Sequence, residues 1–236
     1  YVDSNAYQGA LYDNGAGHLE PLAYARGLAM AAESAGARIF ERSSAIRIES
    51  GSCPAVVTAR GKISANAVVI AGNAYVGGLL PELLTHMQPV STFMLATAPM
   101  GAARARALIP NDIAVADVNF ALSYYRLSPD HRLLFGGGVS YSRSSPSDLC
   151  GKLRAKMLRY LPQLADLSIE HCWNGDMALT LTRLPEAGRL DDRIYFAHGY
   201  SGHGVALSNI AGLAIAEAII GRIDRFDLLA RLPQRS

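Results

Sequence analysis

Cysteine, lysine and long apolar runs are scarce in this sequence. Its 236 residues hold three cysteines, Cys53, Cys150 and Cys172, which are widely spaced and include no CxxC pair. This odd and scattered set argues against a disulfide framework and against a zinc site, so we predict no bound metal and a reducing, cytoplasmic setting. Three of the 22 basic residues are lysines, which gives little support to a Schiff-base mechanism.

No apolar stretch in the sequence has the length of a membrane span. The longest, at 67–71 and 213–220, are short or interrupted by Glu217, whereas a spanning helix needs about 20 residues. The formal net charge is +2, which is too weak to predict contact with nucleic acid or an anionic membrane. We therefore expect neither a membrane nor a nucleic-acid partner.

The composition is that of a folded protein. Half of the residues are hydrophobic and 18% are charged, which excludes disorder, and the length predicts one large unit or two small domains. The chain begins at Tyr1 without the methionine, basic segment or apolar segment of a secretion signal. We expect it to be the later part of a longer protein.

The first 86 residues alternate between helical and strand patterns. Apolar residues at helical spacing follow Pro21 and stop at Gly36, which predicts a helix over Pro21–Ala35. Short runs rich in Ile and Val predict strands at 37–41, 45–49, 55–59 and 66–71. The core of the last run, Ala67–Ala71, is apolar on both faces, as in a strand covered on both sides in an α/β layer.

A second pattern begins near Met87 and predicts a larger, antiparallel sheet with one amphipathic helix around 146–160. Its strands are predicted at 90–96, 113–117, 122–127, 132–136 and 169–178. The chain then returns to α/β character with a strand at 193–197, a glycine-rich turn at 199–204 and a helix at 205–220. The first domain is therefore predicted to be discontinuous.

The turn between the last predicted strand and helix carries Gly199, Gly202 and Gly204. Glycine permits positive φ and close approach of a flat or anionic ligand, and the start of the following helix offers free N–H groups and a positive dipole end. These are the properties of a cofactor-binding site. The spacing GxxGxG differs from the dinucleotide pattern GxGxxG, however, and a plain tight turn fits the motif about as well.

Three other features are candidates for a site, each with a structural alternative. Gly72 ends an apolar strand, where cofactors of open α/β sheets collect, although an ordinary strand end has the same pattern. Trp173 is the only tryptophan, and tryptophans are more often core than site. Tyr124 and Arg126 share one face of a predicted strand and Tyr125 takes the other, so either face is open to a pocket or to the core.

Seven segments follow one another in a characteristic order: Gly17–Pro21, Gly36–Ile46, Thr58–Gly61, Val69–Tyr75, Trp173–Gly175, Leu184–Gly188 and Gly199–Gly204. Together they resemble the FAD-dependent D-amino-acid oxidase and amine oxidase family, and within it the γ-glutamylputrescine oxidase branch. The resemblance is collinear over nearly the whole chain. It implies a flavoprotein that takes a hydride from the carbon beside an amine nitrogen, passes the electrons to O2, giving H2O2, and releases an imine that hydrolyses.

The family also implies a domain plan. Residues 1–86 and 183–236 are expected to form parts of a discontinuous, Rossmann-like FAD-binding domain of α/β or α+β class, and residues 87–182 an inserted, mainly antiparallel substrate domain. The strand–GxGxxG–helix unit that grips the FAD pyrophosphate would precede Tyr1, since no such unit occurs here. Without it we expect weak or no FAD binding by this chain.

Carried over position by position, the resemblance implies a set of cofactor contacts. Ile46 matches the position whose backbone meets the adenine, and Gly72 matches a turn beside the dinucleotide. The residues that match the flavin-facing turn are Gly199, Tyr200, Ser201, Gly202, Gly204 and Val205. His203 is the catalytic candidate because its ring can accept a proton near neutral pH, although a role for its backbone alone is equally open.

Two departures from the family bear on the substrate, a small-molecule amine. Relatives that oxidise amino acids hold the substrate carboxylate with an Arg where this chain has Met177, or with a Lys where it has Ala206. Because a buried carboxylate without a partner is costly, an amine or polyamine derivative is the better expectation than a simple amino acid. We assign the substrate contacts to Trp173, Met177 and Tyr125.

Two alternatives to an oxidase stay open. One is a non-catalytic fragment or ligand-binding module that works without flavin. The other, a nicotinamide-linked dehydrogenase, requires a dinucleotide motif that the chain does not show.

Overall fold

The structure is a computed structural model that describes residues 1–233. Its six helices are Pro21–Ser34 (α1), Pro81–Leu84 (α2), Ala102–Leu108 (α3), Leu149–Tyr160 (α4), Gly204–Ile219 (α5) and Asp224–Ala230 (α6). Its eleven strands are Ala45–Glu49 (β1), Ala55–Thr58 (β2), Gly61–Ser64 (β3), Val68–Ile70 (β4), Met87–Thr97 (β5), Val115–Ala116 (β6), Ser123–Leu127 (β7), Leu133–Ser140 (β8), Ile169–Thr180 (β9), Glu186–Asp191 (β10) and Ile194–His198 (β11).

The chain forms two compact units. The first unit comprises Tyr1–Gly27 and Ser91–Gly175, and the second comprises Leu28–Val90 and residues 176–233. The larger sheet belongs to Ser91–Gly175, where the sequence predicted a domain over 87–182, and residues 1–27 join the same unit. The N-terminal segment is held there because Asp3 N donates to Leu108 O at 2.8 Å. The roles of the domains stay a prediction.

The first unit is built on a five-stranded sheet in the order β6-β7-β8-β5-β9. The β6–β7, β7–β8 and β8–β5 pairs are antiparallel, which confirms the predicted larger sheet. Side chains alternate between its faces, and the core face carries Leu95, Tyr125 and Phe135, which cluster with Leu153 and Met157 of α4. Each such buried side chain contributes roughly 1.5–3 kcal/mol to stability.

The second unit contains two three-stranded sheets, β1-β2-β3 and β10-β11-β4. In the latter, β11 and β4 are parallel, with Ile194 opposite Val68, which confirms that the α/β part of the chain is discontinuous. Helix α5 packs beside this sheet through small residues, since Ala214 and Ala218 cluster with Tyr195 and Ala197 of β11. The mixed α/β class is thus as predicted.

Several predicted elements differ in detail. Residues 37–41 form no strand, because turns with positive φ at Gly36 and Arg42 bound the segment and Phe40 is exposed. Strand β4 was expected inside a covered sheet, but it lies at the edge of a sheet with Val69 45% exposed. The helices and strands that sequence periodicity missed are β3, β10, α2, α3 and α6.

The predicted first helix is present, yet it buries none of its residues within the described chain. Leu22, Leu28 and Met30 are exposed apolar side chains on it. Among residues 1–233, no helix combines the length and the apolar character that crossing a bilayer requires.

The expectation of no disulfide is wrong, because the structure joins Cys150 and Cys172, whose Cα atoms are 5.8 Å apart. Both residues belong to the first unit, Cys150 on α4 and Cys172 on β9. Their separation of 22 residues gave no sign of this, since the pairing follows from how a helix packs beside a strand. Cys53 is free and exposed.

Candidate cofactor and substrate sites

Strand β11 leads directly into the predicted glycine turn. Gly199 has a φ of +70°, and a Cβ placed on it would lie 2.4 Å from Thr180 Cγ2. Only glycine fits there without a shift of Thr180. Gly202 also has a positive φ, +98°, but no atom lies within 4 Å of a Cβ placed on it. The turn is therefore closely packed at Gly199 and open to its surroundings at Gly202.

The structure brings the turn together with the end of β4. Because β4 and β11 are parallel, their carboxyl ends lie at the same edge of the sheet. Asn73, directly after Gly72, accepts a hydrogen bond on Oδ1 from Gly199 N at 3.0 Å. The two segments assigned to the cofactor are thus adjacent. Sequence reasoning missed Asn73, although an amide side chain after a strand-ending glycine was the available signal.

Ser201 anchors the turn from within. Its backbone N donates to Ala178 O at 3.1 Å, and its hydroxyl donates to Gly199 O at 3.1 Å. Thr180 N also donates to Ser201 Oγ, at 3.2 Å. Because Ser201 N–H already donates inside the protein, it is not free to donate to a cofactor, and a cofactor contact of this residue stays a prediction for its other atoms.

Helix α5 starts immediately after the turn with His203 as its N-cap residue, and no side chain caps it. In an α-helix the first N–H groups have no partner within the helix, here those of Gly204, Val205 and Ala206. These donors and the positive end of the helix dipole form a place for negative charge. The start of α5 thus has the properties expected of a cofactor-facing segment.

Two predicted residues flank this helix start. His203 is exposed, and its backbone N donates to Tyr200 O at 2.9 Å. Tyr200 is half-buried, and burial raises the pKa of its hydroxyl. By contrast, Ile46 lies on β1, in the other three-stranded sheet, and is 60% exposed. The structure therefore groups Gly72 with the turn and places Ile46 in a separate sheet.

A partly buried cluster of one glutamate and two histidines, which sequence reasoning missed, adjoins the turn. Glu186 Oε1 lies 2.8 Å from His86 Nδ1, and Glu186 Oε2 lies 3.0 Å from His198 Nε2. Burial raises the pKa of Glu186, but the hydrogen bonds and charges of the two histidines outweigh it and lower that pKa. Since His198 is the last residue of β11, this cluster fixes the strand end from which the turn leaves.

The first unit contains a cavity of about 1270 Å³ on the sheet face opposite its core. Met94, Ala96, Leu134 and Tyr124 form an apolar wall, and Trp173 joins the lining with 43% of its surface exposed. A cavity of this size, mostly apolar with a few polar groups, is typical of small-molecule sites. Trp173 therefore lines a cavity, and its contact with a substrate stays a prediction.

The strand that carries the predicted tyrosine contributes both Tyr124 and Tyr125 to the lining of the cavity. Tyr125 is 2% exposed and its ring stacks on Phe135, with 6.0 Å between ring centroids, so its side chain belongs to the core. Tyr124 points to the opposite face, over Gly136, where an added Cβ would lie 2.2 Å from its Cε2. Met177 is half-buried in the second unit and does not line this cavity.

Charged residues occupy two parts of the cavity lining. Arg126 Nη2 lies 2.6 Å from Glu20 Oε1. Elsewhere Arg132 is paired with Asp130, at 2.6 Å between Nε and Oδ2, and with Glu170. The pairing of every arginine with a carboxylate keeps both guanidinium groups fixed in a mostly apolar lining.

A parallel strand pair that ends in a glycine turn at an uncapped helix is typical of a cofactor-binding α/β protein. The family described as FAD dependent oxidoreductase matches residues 2–218. Gamma-glutamylputrescine oxidoreductase of Escherichia coli (strain K12) is 43% identical over 233 residues, which are 98% of this chain and 55% of that protein. A probable oxidoreductase, OrdL, of Haemophilus influenzae is 41% identical over 98% of this chain and 54% of its own length.

The solved structures agree with the sequence comparisons. Glycine oxidase from Geobacillus kaustophilus superposes with a TM-score of 0.73 at 25% identity, over 89% of this chain and 57% of that one. The chain belongs to the FAD-dependent oxidoreductase family of D-amino-acid oxidase type, whose cofactor is FAD. The resemblance found in the sequence and the fold class are thereby confirmed. The chain spans about 55% of the length of the curated relatives it matches.

Proposed function

We propose that this chain forms part of an FAD-dependent oxidase that acts on the C–N bond of an amine, a polyamine derivative such as γ-glutamylputrescine. With O2 and water, the primary amine R–CH2–NH2 gives the aldehyde R–CHO, ammonia and H2O2. The observation that carries the proposal is the meeting of the β4 end, the glycine turn and the uncapped start of α5 at one sheet edge. The similarity to gamma-glutamylputrescine oxidoreductase supports the choice of amine.

The chemical groups that the second unit offers at the glycine turn suit the FAD cofactor. The free N–H groups of Gly204 and Val205 and the dipole of α5 suit the negative charge of a reduced flavin. When bound, FAD accepts the hydride that leaves the carbon beside the amine nitrogen. Gly199 and Asn73 hold the turn in place, and Gly202 leaves room for close approach of a flat ring.

His203 is proposed as the residue that accepts the substrate proton. Its side chain is exposed beside the helix start rather than committed to a cap, and histidine is the side chain that most often serves as a general base in enzymes. We further propose a cytoplasmic enzyme, although the bond between Cys150 and Cys172 is less expected in a reducing compartment.

Two measurements test the proposal. The purified full-length enzyme is expected to show flavin absorbance and to release H2O2 from γ-glutamylputrescine at a higher rate than from putrescine or N-methyl amino acids. Variant His203→Ala is expected to lower kcat by about 10²-fold or more while flavin absorbance is kept. A colourless protein that takes up no added FAD, or no release of H2O2 from any amine of the panel, contradicts the proposal.

One observation favours a second candidate, a ligand-binding module without flavin. The cavity beside Trp173 is lined entirely by residues of the first unit, so none of its walls depends on the cofactor segments. Amine binding with the same affinity in flavin-free and flavin-loaded protein, without turnover, would support this candidate.

A further inference from the structure

We propose that Arg126 and Glu20 form a recognition site for an amino-acid head group, one ammonium and one carboxylate, at the far end of an elongated amine. The inference rests on the proposed function in taking the ligand as the amine substrate. It concerns only the cavity of the first unit, where both residues line the wall.

The first argument is the state of the Arg126 side chain. Its side chain is 15% exposed, so its charge lies in a largely dehydrated position. Its Nη1 donates to Leu127 O at 3.0 Å, and Nη2 contacts Glu20 Oε1 at 2.6 Å. A guanidinium has five N–H donors in a planar fork. Within residues 1–233 this hydrogen bond and this ion pair leave donors for a carboxylate, which a fixed arginine binds in bidentate fashion.

The second argument comes from the other arginine of the lining. Arg132 contacts two carboxylates, Asp130 and Glu170, and donates to Thr97 O at 3.0 Å. This neighbourhood carries a net negative charge and repels a ligand carboxylate. Arg126 has a single carboxylate partner, so it is the arginine of this cavity that suits an anion.

The third argument is charge balance. A ligand that carries only an ammonium ion, or only a carboxylate, would leave one member of the Arg126–Glu20 pair without its counter-charge in a low-dielectric place, which is costly. A ligand with both charges gives each residue a new partner, the carboxylate on Arg126 and the ammonium on Glu20. Glu20 is 35% exposed on its side chain and can turn toward a ligand without losing all contact with water.

The shape and surface of the cavity determine the rest of the ligand. Met94, Ala96, Leu134 and the ring of Trp173 offer apolar contact to a methylene chain. A volume of about 1270 Å³ exceeds what a simple amino acid fills. The geometry therefore points to an amino-acid head joined to an aliphatic amine. A basic side chain that binds the substrate carboxylate is absent at Met177 and Ala206. Arg126 on a different strand, β7, thus takes this role.

The test is a binding titration of the flavin-free 236-residue chain, which makes it independent of oxidase activity. Trp173 is the only tryptophan, so its fluorescence reports on the cavity, and calorimetry measures the same binding. We expect γ-glutamylputrescine to bind at least about tenfold more tightly than putrescine, and Arg126→Gln to remove this difference. Arg106→Gln is the matched control, since it makes the same change at an exposed arginine of the same unit that does not line the cavity, and it is expected to change the Kd less than about twofold.

A ligand variant keeps the test decisive if Arg126→Gln does not fold by circular dichroism. The α-carboxamide of γ-glutamylputrescine lacks only the carboxylate and is expected to bind the wild-type chain about tenfold more weakly. Equal affinity for γ-glutamylputrescine, its carboxamide and putrescine, or no binding by either method, overturns the inference. A failure of the proposed function is separate, because it shows as lost flavin absorbance or absent H2O2 in the full-length enzyme.

Discussion

At the scale of single residues, the two glycines of the turn differ in what they tolerate. A Cβ at Gly199 would lie 2.4 Å from Thr180, and the positive φ of this position is strained for any residue with a side chain. At Gly202 only the positive φ is unfavourable. We expect Gly199→Ala to lower the free energy of unfolding by about 2–4 kcal/mol, from the strain and the overpacking together. Gly202→Ala should cost about 1 kcal/mol. Urea denaturation measures both, and equal losses would show that the contact with Thr180 relaxes freely.

The buried carboxylate of Glu186 makes a second prediction at this scale. Its pKa in the folded state is depressed, so its contribution to stability is present above the unfolded pKa of about 4.3 and is lost as the pH falls through the folded value. We expect Glu186→Gln to flatten the stability curve below about pH 4.5 and to lower stability at pH 7 by about 1–3 kcal/mol. The control is Glu82→Gln, an exposed glutamate that should change neither quantity.

At the scale of elements, the bond between Cys150 and Cys172 ties α4 to β9 and closes a loop of 22 residues. Loop-closure entropy predicts about 3 kcal/mol of stabilisation for a loop of that length. Chemical denaturation with and without a thiol reductant should therefore differ by about that amount, and Cys150→Ser should remove the difference. Cys53→Ser, at the free and exposed cysteine, serves as the control. Identical curves in both buffers would mean that the two thiols are not joined in solution.

Elements with a strong local signal were predictable from the sequence, and elements held by partners were not. Helix α1 and strand β11 follow from apolar periodicity, glycine stops and a run of buried residues. Strand β10 is polar along most of its length, so its place beside β11 follows from pairing rather than from its own pattern. The turn at Gly199 was predictable from its own glycines. The amide of Asn73 that fixes it was not, because it comes from a different part of the chain.

At the scale of the whole molecule, the chain provides one side of a cofactor site and a separate ligand cavity. The start of α5 offers N–H donors and a dipole, but residues 1–233 contain no strand followed by GxGxxG, the unit that binds a dinucleotide pyrophosphate. The donors at Gly204 and Val205 can contact only a small part of such a ligand. We therefore expect the 236-residue chain to bind FAD at least about a hundredfold more weakly than its Escherichia coli relative. This ratio corresponds to a difference of about 2.7 kcal/mol in binding free energy.

Equilibrium titration of FAD, followed by quenching of flavin fluorescence, measures this difference directly. If the N–H groups at the start of α5 contribute to the residual binding, Val205→Pro should weaken it further, since proline removes one donor and is tolerated in the first turn of a helix. Val205→Ala keeps the donor and is the matched control. FAD binding by the chain as tight as that of the relative would show that the described residues hold the cofactor by contacts other than those at the glycine turn.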